Sequence, residues 1–303
     1  MVVDLLVLNY NDADTVIEFI RRIKTFSSLR YIVIIDNNST DDSYEKLKKL
    51  KNDKIHLVKS GDNGGYASGN NYGIKYARNV LKSRYVIISN PDVIFENHII
   101  NNMYENIIKY DAASITCKMR CLSGIHNPIA WRLPDYHTCL FETLILFKKV
   151  FHYTSEYPLE YLSKPVVEVE AIPGSFFMAD LDKMNNVGYF DENTFLYYEE
   201  NILGYRLREK NYKQLLITTD EYIHNHSVSI NKTISSVSKR LKLQQESRVY
   251  YCKKYLKTNC VQNLLLAVFF EIGKINYLTV KRLLNFKIAS HGENNHEKQN
   301  KDQ

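Results

Sequence analysis

The 303-residue chain has few cysteines, lacks the features of a secretory leader and carries no uninterrupted apolar run long enough to span a membrane. Its five cysteines are odd in number and scattered, which excludes a disulfide framework. Cys117 and Cys121 lie four residues apart, but no second pair or nearby histidine pair completes a zinc site. The N-terminus enters a strand-like run without a basic region, apolar stretch and cleavage site, so we expect no signal peptide and a cytoplasmic location.

Composition and charge give two further expectations. Hydrophobic residues make up 45% and charged residues 24%, which excludes disorder, collagen and coiled coil as descriptions of the whole chain. From Lys232 to Gln303 there are 14 Lys and Arg against 5 Asp and Glu, a net charge of +9 after a slightly acidic body. Such a segment predicts an anionic partner, a membrane surface or a nucleic acid, or else a solvated lysine-rich helical appendage.

The first hundred residues alternate between strand and helix patterns. Short runs rich in Val and Ile predict buried parallel strands, and apolar residues at helical spacing predict the helices between them, the first capped by Asp14. The predicted strands are Val2–Leu8, Tyr31–Ile35 and Arg84–Ser89, and the predicted helices are Asp14–Thr25, Asp42–Leu50 and Tyr72–Leu81. This order predicts a doubly wound α/β sheet, whose ligands lie beyond the carboxyl ends of its strands.

The rest of the chain is less regular. Lys118–Lys164 has no clear pattern, and His291–Gln303 is polar and predicted to be disordered. Charged residues interrupt the last predicted helix, so it is expected to pack on the helix before it or to lie in a membrane interface. The remaining predicted strands are Val166–Ala171, Phe176–Ala179 and Gln214–Ile217, and the remaining helices are Asn201–Lys210, Ile234–Tyr255 and Val261–Asn285.

Polar residues follow each of the first strands. Asn9 follows the first and Asp36 ends the second, where a carboxylate can accept hydrogen bonds from a base or ribose, or form part of a turn and helix cap. Five of the 11 glycines then fall within Gly61–Gly73. We interpret this segment as a loop that approaches a phosphate at a helix N-terminus, with a merely flexible loop as the alternative. It lacks the Gly-Lys-Ser/Thr ending of a P-loop.

Further carboxylates and histidines complete the candidates. Asn90-Pro91-Asp92 follows the third predicted strand, either as a common turn or as a site where Asp92 meets Mg²⁺ or Mn²⁺. The adjacent carboxylates Glu199 and Glu200 predict one usable base, or else an acidic helix start. His224 and His226 share one side of a strand pattern, which is more often structural than ligating.

In this order, the motifs resemble those of the family 2 glycosyltransferases, inverting enzymes with the GT-A fold. The resemblance covers about Met1–Ser229. Within the family, the chain is most similar to bacterial rhamnosyl- and galactosyltransferases of cell-surface polysaccharide assembly, in capsule or cell wall. The resemblance implies a nucleoside-diphosphate sugar donor, dTDP- or UDP-linked, a divalent metal (Mn²⁺ or Mg²⁺) and a glycan or lipid-linked acceptor. No nucleic-acid partner is then expected. The remaining candidate for the anionic partner of the basic segment is the inner face of the membrane.

The resemblance also assigns roles to individual residues. The nucleoside and donor are expected to be contacted by Asn9, Asp36, Asn63, Gly64, Asn70 and Asn90, with Gly174 on the acceptor side. Asp92 matches the last position of the family's Asp-x-Asp metal motif, with Asn90 in place of the first Asp, and His224 or His226 matches its late histidine. Glu200 matches the base, normally Asp, with Glu199 and Asp191 as reserves. The next acidic position of the family is Ile202 here.

These expectations define an organisation and a reaction. We predict a GT-A domain over 1–231, a basic helical extension over 232–290 and a tail over 291–303. The expected reaction is inverting hexosyl transfer, of rhamnose or of a galactose- or glucose-type sugar. The alternatives are a sugar-phosphate nucleotidyltransferase, whose N-terminal Gly-rich signature and lysine are missing here, and an inactive nucleotide-binding scaffold.

Overall fold

A computed structural model describes residues 3–121, 129–141, 144, 155–224 and 236–276. Within these ranges, nine strands form one mixed sheet with helices on both faces. The strands are β1 (Val3–Asn9), β2 (Leu29–Asp36), β3 (Ile55–Lys59), β4 (Tyr85–Ser89), β5 (Val93–Ile94), β6 (Ser114–Cys121), β7 (Val166–Val169), β8 (Phe176–Asp180) and β9 (Gln214–His224). The helices are α1 (Ala13–Ile23), α2 (Ser43–Lys48), α3 (Gly65–Asn79), α4 (Asn97–Lys109), α5 (Tyr136–Phe141), α6 (Leu181–Asn186), α7 (Glu199–Glu209) and α8 (Val237–Lys254); residues 260–276 form α9.

The sheet runs in the order β3-β2-β1-β4-β8-β6-β9-β5, and β7 pairs with β9. Strands β3, β2, β1 and β4 are parallel, which agrees with the parallel arrangement predicted for β1, β2 and β4. Strand β8 is antiparallel to both β4 and β6, so the parallel half ends there. The carboxyl ends of β1, β2 and β4 therefore share one edge, which brings their polar terminal residues together.

Alternate residues of the central strands enter two separate cores. Leu5 and Val7 pack with α1 and α4 on one face, while Leu6 and Ile35 pack with α3 on the other. All four are fully buried. Burial on both faces explains why these strands read as continuous apolar runs and not as alternating ones.

Several predicted boundaries were wrong. Helix α1 begins at Ala13 after Asp12, so Asp14 is not its cap, and the Asp12 carboxylate instead accepts a bond from the Thr15 hydroxyl. The patterns also missed β3, a short edge strand containing His56 and Lys59. They missed α4 as well. Its four asparagines disfavour helix, although Ile99, Ile100, Met103 and Ile107 are buried in the core.

The glycine-rich segment is mostly helical, which corrects its interpretation as a loop. Helix α3 begins at Gly65 and not at Tyr72. A Cβ at Gly69 would lie 2.5 Å from a Leu8 methyl carbon, and one at Gly73 would lie 2.6 Å from an Ile35 methyl carbon. These two glycines therefore allow α3 to pack close to the sheet.

The chain divides into two compact units. One comprises residues 1–133 and 155–251, and the other the described parts of 134–154 and 252–303. The first unit includes most of α8, so this division does not coincide with the predicted boundary at 231. Among the residues described, no helix combines the length and apolarity needed to cross a membrane. The predicted tail and the end of the last predicted helix lie outside the described residues.

Candidate active site

The first corner of the site lies where β1 and β2 end side by side. Asn9 and Asp36 are partners in the parallel register, and both are buried. Asn9 Nδ2 donates to Asp36 Oδ1 at 2.9 Å and to Ser39 Oγ at 3.1 Å, while Asp36 Oδ2 accepts the Ser39 N–H at 3.1 Å. Asn9 Oδ1 is buried and has no hydrogen-bond partner among the described residues. The corner thus presents an oriented carboxylate and one unused amide acceptor.

Asn37 joins this corner to the start of α3. Its Nδ2 donates to Asn63 Oδ1 at 2.9 Å and to the Gly65 carbonyl at 3.2 Å, and Asn63 Oδ1 also accepts the Gly65 N–H. Gly64 is the N-cap of α3. The predicted Asn63 and Gly64 therefore lie next to the Asp36 turn, whereas Asn70 is buried within α3 and donates to the Tyr66 carbonyl.

The second corner pairs a carboxylate with an imidazole. Asp92 directly precedes β5, and Val93 is the register partner of His224 at the end of β9. Asp92 Oδ1 lies 3.1 Å from His224 Nε2, and both residues are buried. Asn90 is tied to the same edge through its N–H, which donates to the Ser175 carbonyl at 2.8 Å. His226 lies outside the described residues.

The pair of Asp92 and His224 is suited to a divalent cation whose remaining coordination comes from oxygens of a bound substrate. Across the described ranges, no group of three or more His, Cys, Asp or Glu side chains forms a complete protein cage for a metal. One carboxylate and one imidazole suit Mn²⁺ or Mg²⁺ when the bound phosphates and water supply the remaining ligands. Asp92 and His224 are therefore the side chains that would hold such an ion.

The third corner holds the two adjacent glutamates at the start of α7. Glu200 Oε1 accepts the Gly174 N–H at 3.2 Å, and a Cβ at Gly174 would lie 2.7 Å from that oxygen. The Tyr66 hydroxyl donates to the Gly174 carbonyl at 2.6 Å, which links α3 to the same point. Ser175 follows, and its hydroxyl lies 2.8 Å from that of Tyr222. A side chain at Gly174 would therefore crowd the Glu200 carboxylate and the Tyr66 hydroxyl.

Burial governs the protonation of this glutamate pair. It raises the pKa of Glu199 well above its usual range, and the neighbouring Glu200 adds to the rise. Burial also raises the pKa of Glu200. The backbone N–H groups of Glu200 and Gly174, which donate to its carboxylate, reduce this rise. Glu199 is the more buried of the two, and within the part of the chain that the structure describes its Oε1 has no hydrogen-bond partner. The arrangement favours one shared proton, held on Glu199, and an ionised Glu200.

Asp191 is placed differently. Its Oδ2 accepts Arg206 Nη2 at 3.2 Å and the Tyr250 hydroxyl at 2.8 Å, and its Oδ1 accepts two bonds from Asn193. It is nearly fully buried. These bonds stabilise the ionised carboxylate and favour a structural role for Asp191 over proton transfer.

Hydrogen bonds connect the three corners along one edge of the sheet. Asn37 connects Asp36 to α3, Tyr66 connects α3 to Gly174, and Asn90 connects Ser175 to the Asp92 corner. The sequence reasoning missed Asn37, Tyr66 and Tyr222 as parts of this edge. Asn37 lies directly after Asp36, so its position at a strand end was an available signal.

Comparisons with known proteins identify the class. The model of glycosyl transferase family 2 matches residues 4–156, half of the chain. The chain therefore belongs to glycosyl transferase family 2. The low-salt glycan biosynthesis hexosyltransferase Agl10 of Haloferax volcanii is 28% identical over 232 residues, which are 77% of this chain and 70% of that protein.

Solved structures show the fold. The mannosyltransferase PcManGT from Pyrobaculum calidifontis, in complex with GDP-Man and Mn²⁺, has a TM-score of 0.58 at 13% identity over 95% of this chain and 79% of that one. GalNAc-T7, crystallised with UDP, GalNAc and Mn²⁺, has a TM-score of 0.55 at 13% identity. That match covers 76% of this chain but only 44% of GalNAc-T7. The predicted GT-A fold is confirmed.

Proposed function

We propose that this protein is an inverting hexosyltransferase. It moves a hexose, of the rhamnose or galactose/glucose type, from a nucleoside-diphosphate sugar to a hydroxyl of a glycan or lipid-linked oligosaccharide. The observation that carries the proposal is the Glu200 carboxylate, which accepts the Gly174 N–H beside the more deeply buried Glu199. Similarity to a hexosyltransferase of glycan biosynthesis supports the same reaction class.

The chemistry is one displacement at the anomeric carbon. Glu200 accepts the proton of the acceptor hydroxyl while the oxygen of that hydroxyl bonds to the anomeric carbon. The bond from this carbon to the diphosphate oxygen breaks on the opposite side, which inverts the configuration. Because burial raises the Glu200 pKa, its carboxylate is a stronger base than a solvated one would be.

The donor's nucleoside fits the first corner. Asp36 and Asn9 Oδ1 are acceptors, suited to the N–H groups of a base or the hydroxyls of a ribose. Asn9 Oδ1 is buried and accepts no hydrogen bond from the residues described, so a ligand that donates to it would offset the cost of that burial. A dTDP- or UDP-linked sugar supplies such donors, and PcManGT and GalNAc-T7 were crystallised with nucleotides.

The diphosphate fits beside Asp92 and His224. A divalent ion held by these two side chains would neutralise charge on the departing nucleoside diphosphate. Asn90 stands where the family motif has an Asp, so the protein contributes one carboxylate fewer than that motif provides. We therefore expect the substrate's phosphates to supply a large part of the ion's coordination.

A panel of nucleotide sugars, scored for nucleoside diphosphate release with and without Mn²⁺, tests this proposal. Release from one donor in the presence of an acceptor would support it. Binding of a nucleotide without release from any donor would contradict it and favour the scaffold alternative. In calorimetry with Mn²⁺, Asp92→Ala should lose most of the metal-dependent affinity for the nucleoside diphosphate, and unchanged affinity would rule out Asp92 as a ligand.

We also propose that α9 binds an anionic membrane surface, where a lipid-linked acceptor would lie. Its exposed apolar residues recur at helical spacing along one stripe: Val261, Leu264, Leu265, Val268, Ile272 and Ile275. The segment that contains α9 carries a net charge of +9. An apolar stripe with basic surroundings is typical of helices that lie in the interface of anionic bilayers.

Reversing two exposed lysines tests the membrane proposal. Lys253 and Lys257 precede α9 and are exposed. Since each lysine near an anionic surface contributes ~1 kcal/mol, changing both to Glu should weaken co-sedimentation with phosphatidylserine vesicles by at least about 30-fold. Neutral vesicles serve as the control. Equal binding of the wild type to both kinds of vesicle would contradict the proposal.

A further inference from the structure

The turn before the two glutamates has an uncommon backbone. Tyr197 and Tyr198 are both left-handed, with φ of 74° and 70°. A bulky residue rarely adopts this conformation, and two in succession persist only where surrounding contacts hold them. Glu199 follows immediately as the first residue of α7, so this turn sets the direction in which α7 and Glu200 leave it.

Helix α8 supplies contacts that hold this turn. Arg248 Nε donates to the Tyr198 hydroxyl at 3.1 Å, and the Ser247 hydroxyl donates to the Leu196 carbonyl at 2.9 Å. The Tyr198 ring also packs against that of Tyr251, with centroids 5.6 Å apart. Arg248, Ser247 and Tyr251 are all buried. Helix α8 therefore contacts the turn at two positions, Leu196 and Tyr198.

A second contact fixes the start of the same loop. The Tyr250 hydroxyl donates to Asp191 Oδ2 at 2.8 Å, and Arg206 of α7 donates to the same oxygen at 3.2 Å. Asp191 thus couples α8 to α7 itself. The loop from Asp191 to Tyr198 is held by α8 at both ends, and α8 lies outside residues 4–156, which the family model matches.

We propose that α8 positions the base, with Arg248 and Tyr250 as positioning residues that act on Glu200 through Tyr198 and Asp191. This inference rests on the proposed role of Glu200. With the turn held, Glu200 reaches the Gly174 N–H. With it released, the two tyrosines relax toward ordinary backbone angles, and the first turn of α7 moves away from Gly174.

Removing single hydroxyl groups tests the inference with little change in shape. Tyr198→Phe deletes the acceptor of the Arg248 bond, and Tyr250→Phe deletes the donor to Asp191. Each should lower the maximal transfer rate about 10- to 100-fold, because small misplacements of a catalytic group carry losses of this size. The dissociation constant of the donor should stay within about twofold. Tyr212→Phe is the matched control, since its hydroxyl accepts only a bond from Asn186 among the bonds described.

The pH profile separates positioning from mere stability. Three titratable groups face Glu200 from the elements around it: Glu199 on α7, Tyr66 on α3 and Tyr222 on β9. Burial raises the Glu200 pKa, so a released turn that admits water should lower it, and the acidic limb of the rate profile should move to lower pH in Tyr198→Phe. A variant that is only less folded would lower the plateau and leave the limb in place.

The outcomes distinguish this inference from the proposed function. If Glu200→Gln abolishes transfer but Tyr198→Phe and Tyr250→Phe match Tyr212→Phe, the positioning role is wrong and the base assignment stands. A reduced plateau with an unmoved acidic limb would also overturn the positioning role. If Glu200→Gln retains transfer, the proposed base is wrong, and the inference falls with it.

Discussion

Replacing Gly174 with alanine should impair catalysis while leaving the fold intact. The added Cβ would lie 2.7 Å from Glu200 Oε1 and 3.1 Å from the Tyr66 hydroxyl oxygen. Glu200 Oε1 is the end of a flexible side chain, so the carboxylate can move aside without a shift of the backbone. We therefore expect a melting temperature within a few degrees of the wild type, as for Gly61→Ala, whose added Cβ meets no atom within 4 Å.

The size of the catalytic loss follows from the bond that is displaced. A hydrogen bond to a charged group contributes ~1.5–3 kcal/mol, and the 3.2 Å bond from the Gly174 N–H is long for this class. Taking the lower half of that range, about 1.5–2 kcal/mol, the maximal rate should fall about 10- to 30-fold. The assay is the initial rate of nucleoside diphosphate release at saturating donor and acceptor.

A double-mutant cycle shows whether the loss acts through Glu200. In the Glu200→Gln background, Gly174→Ala should change the residual rate by less than about twofold, because the interaction it disturbs is already gone. Additive losses in the double variant would refute the reasoning. They would mean that Gly174→Ala acts on the acceptor or on neighbours other than Glu200, such as Tyr66.

Two further predictions concern buried carboxyl groups. Glu199→Gln should change transfer by less than about fivefold, since an amide resembles the protonated acid that burial favours. Because the folded-state pKa of Glu199 is raised, the wild type should lose stability as pH rises through that pKa. The variant should lose less, since only Glu200, whose pKa burial also raises, still titrates there; melting temperatures from pH 5 to 9 check this. Asp4→Asn should cost about 2–3 kcal/mol of unfolding free energy, because Asp4 is fully buried and accepts two bonds from the part-exposed Arg30. Urea denaturation measures that loss, and Glu18→Gln, at an exposed ion pair, should stay within about 0.5 kcal/mol.

The parallel half of the sheet could be predicted because its strands are buried on both faces. The stretches Leu5–Leu8 and Ile32–Ile35 are continuous apolar runs for that reason, and their strands end at Asn9 and Asp36, the polar residues that the sequence indicated. The strand Ile55–Lys59 could not be predicted from a continuous apolar run, since it is an edge strand that is partly exposed and includes polar residues. Helix α3 was predicted to begin late because glycines disfavour helix, yet here they allow close packing on the sheet.

The individual residues of the candidate site could be proposed, but not their connections. Asp36, Asp92 and Glu200 stand at strand or helix ends, which sequence patterns can locate. The hydrogen bond from Tyr66 to Gly174 spans 108 residues, and that from Arg248 to Tyr198 spans 50. No spacing rule predicts such contacts, because tertiary packing creates them. The left-handed turn was hidden for the same reason, since tyrosine has no preference for that conformation.

The most direct test of the account is the transfer rate of Glu200→Gln, measured together with its donor affinity. The amide keeps the shape of the side chain but cannot accept a proton at neutral pH. With the donor found in the nucleotide-sugar panel, the rate of glycosyl transfer should fall about 10²- to 10⁴-fold, while the donor's dissociation constant by calorimetry stays within about twofold. Transfer at a near-normal rate by the folded, donor-binding variant would contradict the central claim that Glu200 is the base.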